Sequence, residues 1–169
     1  MEAEIKEIAS DNVIRLKKNE DILRLRIVDE EGNDTGESLV FNLEDIELPI
    51  KYQEIIERDK KARTHLKFRL DEIKRQPDKK GKKLLSANEE AQIKATQDFY
   101  KEEVQIYNMF LGERGVEKLL NGRELSWSTL EEIDEIIENA ILPKLQISAE
   151  NIKQKIMKKY ETKRSDVIE

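Results

Sequence analysis

The residues of this chain most able to do chemistry form a run of carboxylates between positions 131 and 138. Glu131 and Glu135 are four residues apart, as are Asp134 and Glu138. That spacing places each pair on one face of a helix, where the carboxylates could hold a metal ion. Carboxylate metal sites in helical bundles usually include a histidine three residues from a glutamate, and the only histidine, His65, is far away in sequence. The isoleucines between the acids favour a solvated outer face of an amphipathic helix, with the acids pointing outward.

The remaining reactive candidates are few. His65 lies off the apolar stripe of its segment, which is typical of a surface histidine, and the chain has no cysteine and no G-x-S-x-G motif. The lysines of residues 79–83 could contact phosphates, but they lack interleaved aromatic residues and flank a glycine, as in a solvated loop. Gly112, Gly115 and Gly122 follow no strand and match no phosphate-binding fingerprint, so we interpret them as a structural elbow between helices. The sequence therefore predicts no catalytic residue, no metal site and no cofactor.

The composition is unusual for a domain of 169 residues: 40% of the residues are charged and 37% are hydrophobic. Typical globular domains have about 25% charged and about 45–50% apolar residues. The core is therefore expected to be thin, with charged helices that project from it or pack on a partner.

Charge and hydropathy exclude several classes of partner. The net charge of −6 argues against nonspecific binding to nucleic acid or to membranes. The first residues lack the basic and apolar regions of a signal peptide, and no apolar run approaches the ~18 residues that a membrane span needs. We therefore expect a protein of the cytoplasm.

The first part of the chain, residues 1–49, has the pattern of a β-hairpin. In residues 22–28, Leu23, Leu25 and Ile27 alternate with Arg24 and Arg26, which is the period of a half-buried strand. A turn-rich segment follows at residues 30–36, and residues 38–41 form a second strand. If residues 13–17 add another strand, the hairpin becomes a three-stranded meander.

Beyond Pro49 the apolar period becomes helical. One long helix is predicted over residues 50–74 and a second over residues 86–111, opened by a capping box of Ser86 and Glu89. A short basic loop joins the two helices, so they should form an antiparallel αα-hairpin. The apolar face of the second helix widens toward its C-terminal end, where we expect the centre of the core.

Shorter helices follow the αα-hairpin. A helical turn lies between Gly115 and Gly122, a helix begins at a second capping box of Ser128 and Glu131, and Pro143 interrupts or ends that helix. A last helix is predicted from Ser148 to about residue 163. The fold class is mainly α with a small N-terminal β-hairpin, divided into residues 1–49, a helical unit 50–145 and a peripheral helix 146–169.

A few apolar side chains are candidates for contact with a partner. Trp127 stands just before the predicted Ser128 cap, where it could staple the helix start, anchor in the core or act as a binding hot spot. The stripe of the last helix is too narrow to seal a core. Residues 148–169 should therefore be peripheral, and either exchange between protomers of a homo-oligomer or are partly disordered in the free protein. The partner-binding residues that we expect to be exposed are Trp127, Leu130, Ile152, Ile156 and Tyr160.

Residues 110–145 resemble a known family. The segment contains, in order, an apolar helix end, F-L-G-E-x-G, a K-L-L turn, N-G-R and an amphipathic helix that ends in I-L-P-K-L. This order resembles that of small helical proteins of long-tailed phages and prophages of Gram-positive bacteria. These proteins are encoded between the major tail protein and the tape measure protein and are regarded as tail assembly chaperones. The N-terminal part, residues 13–49, also resembles the opening of these proteins, so the resemblance covers most of residues 12–145. The matching residues of the C-terminal part are Phe110, Leu111, Gly112, Glu113, Gly115, Lys118, Leu119, Leu120, Gly122, Arg123, Leu130, Ile133, Ile137 and Pro143.

The resemblance implies a noncatalytic chaperone that binds the tape measure protein in the host cytoplasm during tail assembly. Two other functions fit the residues. A structural tail component of the virion would use the hairpin for strand addition between subunits. An acidic regulator would bind a host protein or mimic nucleic acid through the carboxylates of residues 131–138, although the basic loop breaks that pattern.

Overall fold

A computed structural model describes residues 21–166 of the chain, with side chains up to residue 161. Two antiparallel strands come first and helices follow, as predicted. The elements are β1 (Ile22–Val28), β2 (Asp34–Asn42), α1 (Leu48–Arg75), α2 (Ala87–Leu111), α3 (Gly115–Leu120), α4 (Trp127–Ile136), a π-helical segment (Ile137–Ile141) and α5 (Leu142–Asp166). The predicted additional strand at residues 13–17 lies outside the described residues.

The hairpin has the predicted alternation of its two faces. Leu23 and Leu25 pack against the core, whereas Arg24 and Arg26 are exposed. Strand β2 begins at Asp34, four residues before the predicted start, because the ladder continues past a bulge between Arg26 and Val28.

The two long helices form the predicted helical hairpin. At the start of α2 the Ser86 hydroxyl accepts a hydrogen bond from the Glu89 backbone N–H at 3.1 Å, and the Glu89 carboxylate accepts one from the Ser86 N–H at 2.7 Å. The predicted capping box is therefore confirmed. The C-terminal end of α2 lies in the core as expected, since the Phe110 ring contacts Phe41 of β2 at 5.4 Å and Tyr52 of α1 at 5.6 Å between ring centroids.

Helix α4 begins two residues earlier than predicted. Its N-cap is Ser126, which has extended dihedral angles and accepts a hydrogen bond from the Thr129 N–H at 3.3 Å. The Thr129 hydroxyl in turn accepts from the Ser126 N–H at 2.7 Å. The predicted Ser128 cap is therefore wrong, because this reciprocal pair already satisfies the first free N–H groups of the helix. Trp127 is consequently the first residue of the helix and does not precede it.

Pro143 does not end the helix; of the two predicted outcomes, the structure shows an interruption of the regular α-helical winding. A π-helical segment, Ile137–Ile141, directly precedes α5, and the Leu142 N–H donates to the Ile137 carbonyl five residues back. Proline has no N–H, and in a regular α-helix its ring collides with the carbonyl four residues before it. A widened turn ahead of the proline relieves that collision and lets the helix continue.

The predicted unit boundaries at residues 49 and 145 fall inside continuous structure. Leu48 and Pro49 already belong to α1, and Leu145 and Ser148 are buried on the same helix, α5. The hairpin and the helices share one hydrophobic core, built from Ile27, Leu39, Phe41, Leu48, Ile55, Ala62, Phe99, Ile106, Tyr107, Phe110, Leu111, Val116, Leu120, Leu130, Ile133, Ile137, Ile141 and Leu145.

Candidate functional site

The first turns of α5 are fixed to the hairpin. Leu145 is buried in the core, and the Ser148 hydroxyl donates a hydrogen bond to the Leu43 carbonyl just after β2. Ser148 therefore belongs to the packed part of the chain and not to a peripheral helix. The exposed part of α5 begins one turn later.

An apolar groove lies where α5 passes the start of α1. Its lining residues, which define the α5 groove, are Ile46, Pro49, Ala149, Ile152, Lys153, Ile156 and Met157. Ile46 is 62% exposed, Ile156 is 57% exposed and Met157 is 52% exposed, so their apolar surface is largely open to solvent. Tyr160 is exposed one turn beyond Ile156. The structure brings Ile152 and Ile156 together in one concave apolar surface, with Tyr160 following on the same helix. Ile152 is half-buried and not exposed as expected, because it lies one turn after the anchored Ser148.

Trp127 belongs to a different surface. Its ring stacks on Phe99 of α2 with 6.1 Å between centroids, and the Arg63 guanidinium lies 5.1 Å from the centroid of the indole. Arg63 is fourteen residues from Pro49 on α1, a separation of about 21 Å along the helix axis. The residues predicted to bind a partner therefore do not form a single patch.

Leu130 is a core residue and not an exposed one. Only 1% of it is accessible, among the buried side chains of α4 that include Ile133. The expectation that Leu130 contacts a partner is therefore wrong for this fold. Its position in the stripe shared with Ile133 and Ile137 explains the burial, because spacings of three and four residues keep these side chains on the inner face.

The three glycines of the elbow have different structural roles. Gly112 and Gly122 have positive φ angles of 94° and 83°, which residues with a side chain rarely adopt. Gly115 is needed for space, since a Cβ atom there would lie 2.4 Å from the Cβ of Leu111. The elbow thus allows α3 to return tightly against the end of α2.

A charged cluster lies beneath Trp127, between α1, α2 and α4. Arg63 donates to Asp59 at 2.7 Å and to Asp134 at 3.1 Å, and the Tyr107 hydroxyl donates to the same Asp134 carboxylate. Burial and the Asp134 contact raise the pKa of Tyr107 well above its usual range, which keeps the hydroxyl protonated as the donor. Asp134 was predicted to point outward, but it is half-buried, because Arg63 and Tyr107 each donate a hydrogen bond to it in place of water.

Glu103 is the centre of this cluster. Its side chain is fully buried, and within the described part of the chain neither carboxylate oxygen accepts a hydrogen bond. Burial, followed by its contact with Asp59, raises the pKa of Glu103 to about 9. Glu103 therefore carries a proton at neutral pH, and the protonated carboxyl can donate to Asp59.

Sequence reasoning missed Glu103, although the sequence contains a signal for it. Phe99, Ile106 and Phe110 belong to one apolar stripe of α2, and the step from Phe99 to Ile106 spans two helical turns. Glu103 fills that gap at four and three residues from its neighbours. A carboxylate at the inner position of an apolar stripe predicts a buried, partnered charge.

The other predicted features are on the surface. His65 and the lysines of residues 79–83 are exposed, as expected. Across residues 21–166 no group of three or more His, Asp or Glu side chains is placed to hold a metal ion. In the same range no helix is both long enough and apolar enough to span a bilayer.

Comparison of the chain with protein-family models, with curated proteins and with solved structures gives no match in any of the three. The features of the chain that bear on its function are the geometry of the α5 groove and the sequence resemblance of residues 110–145.

Proposed function

We propose that this protein is a noncatalytic phage tail assembly chaperone that binds the tape measure protein in the host cytoplasm. The observation that carries the proposal is the α5 groove, in which Ile156 and Met157 are open to solvent on a helix anchored to the core. The resemblance of residues 110–145 to such chaperones is the reason for proposing the tape measure protein as the client.

The groove suits an amphipathic helix as client. Helix-in-groove recognition places apolar side chains spaced three and four residues apart into a hydrophobic cleft. Burial of each large apolar side chain contributes roughly 1.5–3 kcal/mol before the cost of ordering. A few such contacts support reversible binding, which a chaperone needs if it is to leave the tape measure when the tail tube forms.

The charge of the rest of the surface suits the same role. Charged residues make up 40% of the chain, and the lysine loop and the outer acids of α4 are exposed. A long apolar client coated with such domains would present a charged exterior and stay in solution.

Co-expression with the tape measure protein encoded next to this chain tests the proposal. We expect the tape measure to be soluble with the wild-type protein and with Ile147→Ser, and insoluble with the double variant Ile152→Ser/Ile156→Ser. Ile147 is a matched control, since it is exposed on the same helix but nine residues from Ile156, about 180° around the axis. A tape measure that is equally insoluble with and without the wild-type protein would contradict the proposal.

The composition of purified virions gives a second test. A chaperone that dissociates is absent from finished particles, whereas a structural tail component is present in many copies. Detection of this chain in stoichiometric amounts by mass spectrometry would replace the chaperone proposal with the structural one.

A further inference from the structure

We infer that a second copy of this chain docks the tip of its helical hairpin into a cleft beside the β-hairpin turn, so that copies associate head to tail. The helical tip comprises residues 79–84 of the loop between α1 and α2. The hairpin cleft lies between the turn that joins β1 to β2 and the helix α3. Both surfaces are separate from the α5 groove, and the inference does not depend on the proposed function.

The helical tip combines an apolar knob with basic surroundings. Leu84 is 89% exposed, more than any other large hydrophobic side chain of the described residues. Four exposed lysines lie just before it in the loop: Lys79, Lys80, Lys82 and Lys83. In the part of the chain whose side chains are described, none of Lys79, Lys80 and Lys82 belongs to an ion pair. The leucine and these lysines are therefore available to another molecule.

The backbone of the helical tip is fixed at both ends. The Ala87 N–H donates a hydrogen bond to the Lys79 carbonyl at 3.0 Å. Asn88 donates twice, from its side chain to the Gln76 carbonyl at 2.9 Å and from its N–H to the Asp78 carboxylate at 3.1 Å. Little backbone freedom is therefore lost when the tip binds, which lowers the entropic cost of association.

The hairpin cleft has an apolar lining that can receive Leu84. The cleft is open and has a volume of about 660 Å³. Leu119 and Leu120 of α3 line it, together with Val28 at the end of β1, which is 56% exposed. A leucine that is almost fully exposed in one copy would lose most of its contact with water in this cleft, and that loss favours association.

The turn beside this lining is acidic. Asp29, Glu30 and Glu31 also line the cleft, and among the described side chains neither Glu30 nor Glu31 has an ion-pair partner. Arg123 is the one cation among the described residues that line the cleft, and it is paired with Glu132 at 2.9 Å. The cleft therefore keeps carboxylates that complement the lysines of the helical tip in charge.

The two surfaces are too far apart to meet within one copy. The helical tip comes before α2, and α3 follows the end of α2. Helix α2 has 25 residues, so its ends are about 36 Å apart, and α3 has only 6 residues. A tip can therefore fill only the cleft of another copy. Because the contact joins two different surfaces, it can repeat from copy to copy and build a ring or an open chain.

Light scattering of the full-length protein at rising concentration tests the inference. One loop in one cleft should bury less surface than the roughly 1,200 Å² of a stable interface, so association should be reversible. We expect the mean mass to rise with protein concentration at low salt and to fall again in about 0.5 M NaCl. A protein that remains monomeric up to millimolar concentration would overturn the inference.

Two double variants each remove one of the two surfaces. Leu84→Ser/Lys82→Gln changes the tip, and Val28→Ser/Glu30→Gln changes the cleft. We expect each variant to lower the association constant at least about tenfold, since each loses apolar burial and a charge pair. An equimolar mixture should form a complex that stops at two copies, because the tip variant keeps its cleft and the cleft variant keeps its tip. A mixture that stays monomeric would overturn the inference.

A matched control separates this contact from nonspecific association. Phe68→Ser/Lys61→Gln also removes one exposed apolar side chain and one lysine, but on the exposed face of α1. This variant should associate as the wild-type protein does, and an equal loss of association in the control would overturn the inference. All six changed residues are exposed, so circular dichroism should show the same helix content in each variant.

Other outcomes assign self-association to a different surface. An Ile156→Ser variant that is monomeric while the tip and cleft variants still associate would place the contact at the α5 groove and overturn the inference. A monomeric wild-type protein that keeps the tape measure protein soluble would reject head-to-tail association and leave the proposed function standing.

Discussion

The guanidinium of Arg63 on α1 donates a hydrogen bond to the Asp134 carboxylate on α4, across 3.1 Å. The same guanidinium bonds Asp59 and lies over the ring of Trp127, which itself stacks on Phe99 of α2. Arg63 thus connects its own helix α1 directly to α4, and through the ring of Trp127 to α2. It does so next to the carboxylates of Asp59 and Asp134.

Replacement of this cation should destabilise the fold. Arg63→Ala leaves Asp59 and Asp134 without their common partner, and removes the packing over Trp127. Loss of one member of a buried pair costs about 3–5 kcal/mol, and since 31% of the Arg63 side chain is exposed we expect about 2 kcal/mol in urea denaturation. Arg58→Ala is the matched control, because its pair with Glu54 on the same helix is exposed, and it should change stability by less than about 0.5 kcal/mol. Equal effects of the two variants would contradict a structural role for the cluster.

The proton on Glu103 should make stability depend on pH. The pKa of Glu103 is about 9 in the folded chain, against 4.5 for an ordinary glutamate, so between these values the folded state holds a proton that the unfolded state releases. Its contribution to stability is complete below about pH 4.5 and is lost as the pH rises toward 9, with a slope of up to about 1.4 kcal/mol per pH unit.

Glu103→Gln should remove that slope, because an amide does not ionise and can still donate to Asp59. Urea denaturation at pH 6 and pH 8 should show the wild-type protein losing up to about 2.7 kcal/mol more than the variant over this interval. Parallel pH profiles for the two proteins would show that Glu103 is ionised in the folded state or that its carboxyl reaches solvent.

Two deletions should divide α5 into a core part and a binding part. Removal of residues 153–169 takes away a segment whose described side chains, 153–161, are exposed, and should change the free energy of unfolding by less than about 1 kcal/mol. Removal of residues 148–169 also deletes the buried Ser148 hydroxyl and leaves the Leu43 carbonyl without its donor, so it should cost about 1–3 kcal/mol more. Thermal melts of both truncated proteins measure the difference, and identical midpoints would show that the anchor contributes nothing.

Much of the fold could be predicted from the sequence because its signals are local. The alternation of leucine and arginine in β1, the Ser86 capping box and the glycines after α2 each specify structure within a few residues. The start of α4 was harder, since Ser126 and Ser128 are both good caps and only the partner residue Thr129 decides between them. The continuation of the helix through Pro143 depends on the π-helical turn before it, which no single residue predicts.

The candidate site was less predictable because exposure is a tertiary property. Leu130 and Ile156 both lie in apolar stripes with helical spacing, but Leu130 is buried in the core and Ile156 lines the open groove with Ile46 and Pro49. Which stripe is covered depends on how α4 and α5 are placed, and that depends on contacts between residues far apart in sequence. The ion pair of Arg63 and Asp134 is such a contact, and it could not be predicted from the sequence around either residue.

The π-helical segment has a consequence for evolution and for engineering. A π-helical turn holds about one residue more than an α-helical turn, so the segment absorbs an extra residue while the helices on either side keep nearly the same phase. Deletion of the exposed Asn139 would restore regular winding and leave Ile152 and Ile156 facing Ile46, but the ring of Pro143 would then meet the carbonyl four residues before it. A change of one residue in length is therefore absorbed locally here, and its effect on stability depends on the proline and not on the distant groove.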